Sequence, residues 1–372
     1  MSEKLPSSVG SGRPGSTIFP TSPLGEHIQG IATGREVEWE PLVDYRRNGV
    51  SETTIHGAVA WAHGSDGFHS FGGNVLCYGR SMMKPLMMKP LAQSLGPVLE
   101  GPGKAIALSS HNGDADHVAA AQSILREEDH GLMQAPLDLP LVQFGRQVRR
   151  PRRWFHCCSG EHAAVLRACR ELGWPQAGYM LPSHPFFQAY LETLRGYLGE
   201  DWQPLKIARD GCGMPTVSNT VAELAILFAG LAADRDEDWI WEAMTDHPDL
   251  VGGFNRLDST ILKACGGRVL AKEGADGLLG ISILHDDFPK GLGVVIKVAH
   301  GWDPRAIWCV ARGVLGVLGF ELRNPYPLDK QKAFLVPGIV PPSLLEFLEK
   351  IPTWDSWDPD RDRWFGELGE GP

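Results

Sequence analysis

The sequence predicts an α+β fold, an antiparallel sheet packed with helices, and three observations carry that expectation. Helical patterns dominate residues 115–232, apolar β-branched runs follow over residues 278–299, and one further helical segment closes the series. No Gly-rich phosphate loop stands in a strand-turn-helix setting, which argues against a doubly wound parallel sheet.

Taken in order, residues 1–30 hold four Pro, five Gly and six Ser with no periodic apolar face, so residues 1–38 are expected to be a flexible arm. Ala115 to Glu128, Ser159 to Leu172, His184 to Leu198 and Thr220 to Ala232 repeat apolar residues at spacings of three and four, the signature of one helix face. Leu278 to Leu284 and Leu292 to Ala299, separated by a polar stretch with Asp286, Asp287 and Pro289, read as an antiparallel hairpin. Pro304 to Leu318 supplies the closing helix. Residues 331–372 combine prolines and an acidic run with Trp354, Trp357 and Trp364, which suits an appendage held by aromatic anchors. With no repeat period and no linker composition between them, residues 39–330 are expected to form one body.

Composition narrows the function classes. At 43% hydrophobic and 22% charged over 372 residues, the chain matches a folded globular protein and excludes a collagenous or disordered one. The longest apolar stretch, Val221 to Ala233, is shorter than the roughly 20 residues of a bilayer span, so no membrane partner is expected. A net charge of -10 argues against nucleic acid, and the basic run Arg146, Arg149, Arg150, Arg152, Arg153 reads as a solvated loop. Seven cysteines, an odd set without a secretory signal, point to a reducing, cytoplasmic setting.

Three short segments occur in an informative order: Ser81-Met82-Met83-Lys84, Ser110-His111-Asn112 and Lys272-Glu273-Gly274. Together they echo the S-x-x-K, S-x-N and K-x-G trio of enzymes that acylate a serine and move protons with lysine. On a helix, residues three apart share a side, so Lys84 is placed to reach the Ser81 hydroxyl. Pro85 lacks an N–H and would clash with a preceding turn, so the helix should begin near Ser81, leaving free backbone donors for an oxyanion. Lys272, brought close by the sheet, would disfavour protonation of Lys84 and form a second dyad with Ser110. Taken alone, S-x-x-K is more simply read as a helix-capping serine and a solvated lysine. The pentapeptide Met-Met-Lys-Pro-Leu recurs at 87–91, yet only Lys84 has a serine three residues before it.

A second constellation pairs Cys157-Cys158-Ser159-Gly160-Glu161-His162 with Asp210-Gly211-Cys212-Gly213-Met214-Pro215. Two thiolates, one carboxylate or imidazole and an open position would suit zinc, while the spacing is not that of a zinc finger and suits buried inert cysteines as well.

These blocks, with His117-Val118, His247-Pro248, Leu250-Val251-Gly252-Gly253, Arg256 and Lys272-x-Gly274-Ala275-x-Gly277, resemble the asparaginase II family of the rhizobial, zinc-containing type over roughly Glu40 to Leu322. The resemblance implies a serine beta-lactamase-like (penicillin-binding-protein-like) fold, a homodimer, and hydrolysis of L-asparagine to L-aspartate and ammonia through a serine acyl-enzyme. It assigns Ser81 as nucleophile, Lys84 as its partner, Ser110 and Lys272 as the second pair, and Cys158 and Cys212 as zinc ligands. Arg80, His162, Asp210 and Arg256 fall to the substrate and metal pocket. The chain departs from the family in one telling place: Glu161 stands where a metal-binding lysine is usual. A carboxylate is still a zinc ligand, but it repels a substrate carboxylate and attracts an ammonium, so a related amidase or acyl transferase on another amide is the first alternative, and a non-catalytic metal-binding protein on the same scaffold, which would not need two serines and two lysines, is the second. Met82, Met83, Met87 and Met88 around the serine are expected to be core packing, or else the wall of a wider apolar acyl pocket.

Overall fold

The computed structural model describes residues 17–18, 39–64, 68–141, 150–322, 332–336 and 339–341. Its spine is Val50–His63, a 14-residue strand that pairs antiparallel with Glu40–Arg47 along its first half and with Leu292–Val298 along its second. Asn48 and Gly49 connect the first pair with φ of 49° and 82°, the left-handed two-residue turn that an Asn-Gly step favours. Leu278–Ile283 and Val269–Gly274 extend the sheet beyond Leu292–Val298, again antiparallel, so the expected hairpin is present and gains a third strand. Phe68–Phe71 pairs with Val50–His63, and Thr17–Ile18 pairs with Phe68–Phe71. Lys332–Leu335, from the expected appendage, pairs with Glu40–Arg47, and Trp61 Nε1 donates to Ile339 O at 3.1 Å. The rest of the expected arm and appendage, with all three C-terminal tryptophans, lies outside the described residues.

Helices cover both faces of this sheet, as expected for the α+β class. Val221–Ala233 lies on one face between the sheet and a helical layer that includes Gly101–Ala107, Ser159–Leu172 and Pro185–Leu198. Being sandwiched, it is buried nearly all round, which explains a helix with a single acidic residue. That residue works: Thr220 and Glu223 form a reciprocal capping box at its N-terminus. Leu257–Cys265 and Pro304–Val317 pack on the other face, in a second core with Val59, Ile281 and Val294. The four helices expected in the middle of the chain begin and end within a few residues of the sequence pattern.

The close approach of Val221–Ala233 depends on Gly280 and Gly293, where a Cβ would run into the Phe228 ring and Ala225 O. Gly293→Ala is therefore expected to destabilise by about 3 kcal/mol, since the obstacle is backbone and cannot rotate away. Denaturant unfolding measures it; a change under about 0.5 kcal/mol would contradict this packing.

Candidate active site

A three-stranded sheet, Leu76–Tyr78, Pro215–Thr220 and Ile207–Arg209, carries the entry to the site. Immediately after it, Arg80 adopts φ 50°, a left-handed conformation that costs a non-glycine residue about 1–3 kcal/mol. Two carboxylates hold it there. Arg80 Nε and Nη2 reach Asp210 Oδ1 at 2.7 and 2.6 Å, and Nη1 reaches Asp276 Oδ2 at 2.6 Å. The chain then makes a 3-10 turn over Arg80–Met83 and an α-helix over Lys84–Met88, with Pro85 in the first turn where its missing N–H costs nothing. Ser81 thus sits at a helix entry, as the sequence predicts. It opens on a cleft lined also by Arg80, Met83, Glu161, Tyr190, Asp210 and Thr216. Met82, Met83, Leu86, Met87 and Met88 are all buried in one core, as expected for packing, and Met83 and Met87 also reach the cleft wall.

Lys84 does not meet Ser81 as the spacing suggests. Its Nζ donates to Ser109 O and, at 3.4 Å, to Ser110 Oγ, and lies 3.3 Å from Glu161 Oε2. The partner of Ser81 Oγ is Cys158 Sγ at 3.8 Å. The reason is electrostatic: a carbonyl and a carboxylate draw a buried ammonium more strongly than a hydroxyl one turn away. Burial opposes the charge on Lys84, but Cys158, Glu161, Cys157 and Cys212 override it and raise its pKa above the ordinary lysine value. The expected lowering of Lys84 by Lys272 is thereby outweighed. Glu161 does not move symmetrically: burial and the nearby Cys158 charge outweigh the pull of Lys84 and push it up to about 7. Three acceptors around the Lys84 amine are nonetheless the geometry of a charged group. Lys89, in the second Met-Met-Lys-Pro-Leu copy, turns away to Asp234 and Asp238 at 3.4 and 3.2 Å.

Ser110 is the meeting point of the two lysines. Lys272 Nζ donates to its Oγ at 3.0 Å, so the two side chains are in contact. Backbone bonds hold the Ser110–Asn112 segment: Ser110 N to Val251 O at 2.8 Å, His111 N to Cys157 O at 3.1 Å and Asn112 N to Gly252 O at 3.0 Å. Arg256 braces this segment, with Nη1 on Ser110 O at 2.6 Å and Nε on Glu273 Oε2 at 3.0 Å. His162 is also absent from the cleft wall; fully buried, it bonds the Tyr179 hydroxyl through Nδ1 at 2.6 Å.

His111 is buried and neutral. Its Nδ1 accepts from Gly113 N at 3.0 Å, so Nε2 carries the proton and donates to Ser159 Oγ at 2.8 Å. Burial, then His117 and Lys84, hold its pKa well below 6.5. A histidine kept neutral when folded contributes stability at pH above its unfolded value and loses it as pH falls through that value, because only the unfolded chain takes the proton. The chain is expected to lose up to about 1.4 kcal/mol per pH unit below about pH 6.5 through His111 alone. Stability measured between pH 8 and 5 should therefore fall less steeply in His111→Gln; parallel curves would refute the assignment.

The second constellation converges as well. Cys158 precedes the Ser159–Leu172 helix, and at Gly160 a Cβ would strike Ile106 O, so this turn packs directly on Gly101–Ala107. The Asp210–Met214 turn brings Cys212 to it, closed by Asp210 N to Met214 O at 2.8 Å and by Gly213 at φ 99°. The donor atoms of Cys158, Glu161 and Cys212 are all buried and lie within 4.8 Å of one another. Tetrahedral zinc at bonds of about 2.0–2.3 Å fits such a set with small inward movements. Hydrogen bonds from Cys157 and Cys212 favour the Cys158 thiolate and hold its pKa well below the usual thiol range, as a soft-metal ligand needs. His156, Cys157 and Cys158 form another such group, but His156 Nδ1 already accepts the Cys158 N–H at 3.1 Å. The seven thiols form no disulfide.

Asp258, which pairs with Lys272, and Tyr190, in the cleft wall, are members the sequence reading missed. Among the described residues no helix is long and apolar enough to cross a membrane.

Residues 43–337 match the profile of the L-asparaginase II family. No curated protein matches the chain significantly. Solved structures similar to it include a probable glutaminase from Bacillus subtilis complexed with 6-diazo-5-oxo-L-norleucine, at 17% identity and TM-score 0.30 over 67% of this chain and 78% of that one. A Bacillus glutaminase in the presence of 4.3 M NaCl is similar at 15% identity and TM-score 0.27 over 67% and 85%. Overlap at that level places no residue of this chain.

Proposed function

The chain belongs to the L-asparaginase II family, hydrolases of amide C–N bonds, and from that premise we propose that it hydrolyses the side-chain amide of L-asparagine through an acyl-enzyme on Ser81. The observation that supports this reading is the Ser110 hydroxyl held between the amines of Lys84 and Lys272, behind a serine that opens on the cleft. Ser81 Oγ attacks the carboxamide carbon, and backbone N–H groups at the helix entry hold the oxyanion. In this reading Lys84 first gives up the proton that its resting surroundings favour and turns from Ser109 O toward Ser81; its neutral amine then takes the Ser81 proton, Ser110 and Lys272 complete the relay, and the departing ammonia receives that proton. Water then releases aspartate by the reverse sequence.

Cys158, Glu161 and Cys212 would hold zinc. Once bound, the ion would supply positive charge that offsets the thiolates and carboxylate beside Lys84 and would orient the substrate. Elemental analysis of unchelated protein is expected to show about one zinc per chain and a clear deficit in Cys212→Ser; equal metal in both would remove Cys212 from the ligand set.

Glu161 favours a second reading, an amidase or acyl transferase whose amide carries an ammonium and no nearby carboxylate. Ammonia release from L-asparagine, L-glutamine and a panel of other amides separates the two. Turnover of asparagine supports the first reading, and turnover confined to other amides supports the second. As in the family resemblance, the enzyme is proposed to act as a homodimer, which sedimentation would test.

A further inference from the structure

Asp258 and Lys272 form an ion pair with no solvent on either side: both side chains are 0% exposed, and Lys272 Nζ lies 3.2 Å from Asp258 Oδ2. Asp258 stands in the first turn of Leu257–Cys265, and Lys272 in the strand on which that helix packs. Every proton of the ammonium has an acceptor: Ser110 Oγ at 3.0 Å, Asp258 Oδ2 at 3.2 Å and Glu273 O at 2.8 Å. The carboxylate is equally engaged, taking Ser259 N on Oδ1 at 2.9 Å and Glu273 N on Oδ2 at 3.3 Å. Gly252 leaves it room, since a Cβ there would overlap Asp258 Oδ1.

Were this pair only a staple between helix and strand, two apolar side chains would serve as well or better, because desolvating two charges consumes most of what their attraction returns. Its third contact leads into the site. Lys272 donates to Ser110 Oγ, and Lys84 donates to the same oxygen from the other side at 3.4 Å. An oxygen that accepts from two ammonium groups has both lone pairs committed, so its own hydrogen must point away from both lysines.

We propose that Asp258 is a positioning residue for the amide hydrolysis: its carboxylate keeps the Lys272 ammonium charged and aimed at Ser110, and so fixes which way the Ser110 hydroxyl donates. The inference rests on the Ser-Lys reading above. The groups facing the Lys272 amine are Glu273 on its own strand, Arg256 and Asp258 at the helix start, Ser110, and Lys84 from the Ser81 helix. Burial works against the charge on Lys272, and Lys84 and Arg256 add to that, while Asp258 and Glu273 oppose it. Asp258 is the one carboxylate that touches the amine, so removing its charge leaves cationic neighbours on most sides of a dry lysine.

The test is the pH profile of kcat for ammonia release in Asp258→Asn, an isosteric change. The alkaline limb is expected to move to lower pH by at least one unit with KM little altered, activity at the acid end should approach wild type, and Asp258→Glu should restore part of the shift. A uniform loss at every pH, or no change, would overturn the proposal. Ser110→Ala and Lys272→Met distinguish the two levels: if both retain full activity, the Ser-Lys reading itself fails. If both lose activity while Asp258→Asn keeps the wild-type profile, the proposal alone fails. Should Asp258→Asn not fold, the wild-type enzyme still decides, through the 13Cε and 15Nζ resonances of Lys272, assigned by their loss in Lys272→Met. A charged amine with slowly exchanging protons at pH 8 is expected, and a neutral one would overturn the role given to Asp258.

Discussion

Ser81→Ala is expected to lower kcat for ammonia release by at least about 10³-fold while leaving the fold intact, since the substitution removes the attacking oxygen and, besides it, only the long 3.8 Å contact to Cys158 Sγ. The structure sharpens what this tests. Ser81 Oγ lies beside Cys158 Sγ, whose thiolate form is favoured, so a cysteine stands within reach of the same cleft. If Cys158 carried the attack, Ser81→Ala would keep substantial turnover and Cys158→Ser would lose it. The argument for Ser81 is access: Ser81 lines the cleft, whereas Cys158 is buried and belongs to the group of donors suited to a metal. Mass spectrometry of quenched enzyme gives an independent measure, with the acyl adduct expected on the peptide that contains Ser81 and absent from the alanine variant.

Much of this site was legible because its parts are local. The Ser159–Leu172 helix and the strands flanking Asp286 follow directly from apolar spacing, and the capping and turn residues agree with them. Asn48-Gly49, a two-residue hairpin step between two paired strands of the main sheet, is a local signal of the same kind. Lys84 shows a limit. Spacing fixes the face of a helix on which a side chain lies, but the end of a long flexible lysine goes to the strongest acceptors within reach, and these come from Ser109, Ser110 and Glu161, far away in sequence. Asp258 is the extreme case, since a helix-starting aspartate is ordinary and nothing near it announces a lysine 14 residues later. Arg256 has the same limit: its motif position was informative, but the spacing does not announce its bond to the Ser110 carbonyl.

The departure at Glu161 has the second large consequence. Lys84 and Glu161 are 1% and 3% exposed and 3.3 Å apart, so neither charge can be left alone without leaving the other dry and unpaired. In metal-stripped protein at about pH 8.5, above the value of about 7 to which Glu161 is pushed, Glu161→Gln and Lys84→Met are each expected to destabilise by about 3–5 kcal/mol, the range for breaking one side of a buried pair. The double variant should lose much less than the sum, because its second substitution removes the charge that the first had stranded. An interaction free energy of about 2 kcal/mol or more from the cycle, measured by urea unfolding, is the expected result. Additive losses would mean that the two groups do not sense each other and that Lys84 is held by Ser109 O and Ser110 alone. The same logic bears on catalysis: a lysine held charged by Glu161 and the Cys158 thiolate is a poor base. Glu161→Gln should therefore lower the pH at which Lys84 gives up its proton, even while it weakens the fold.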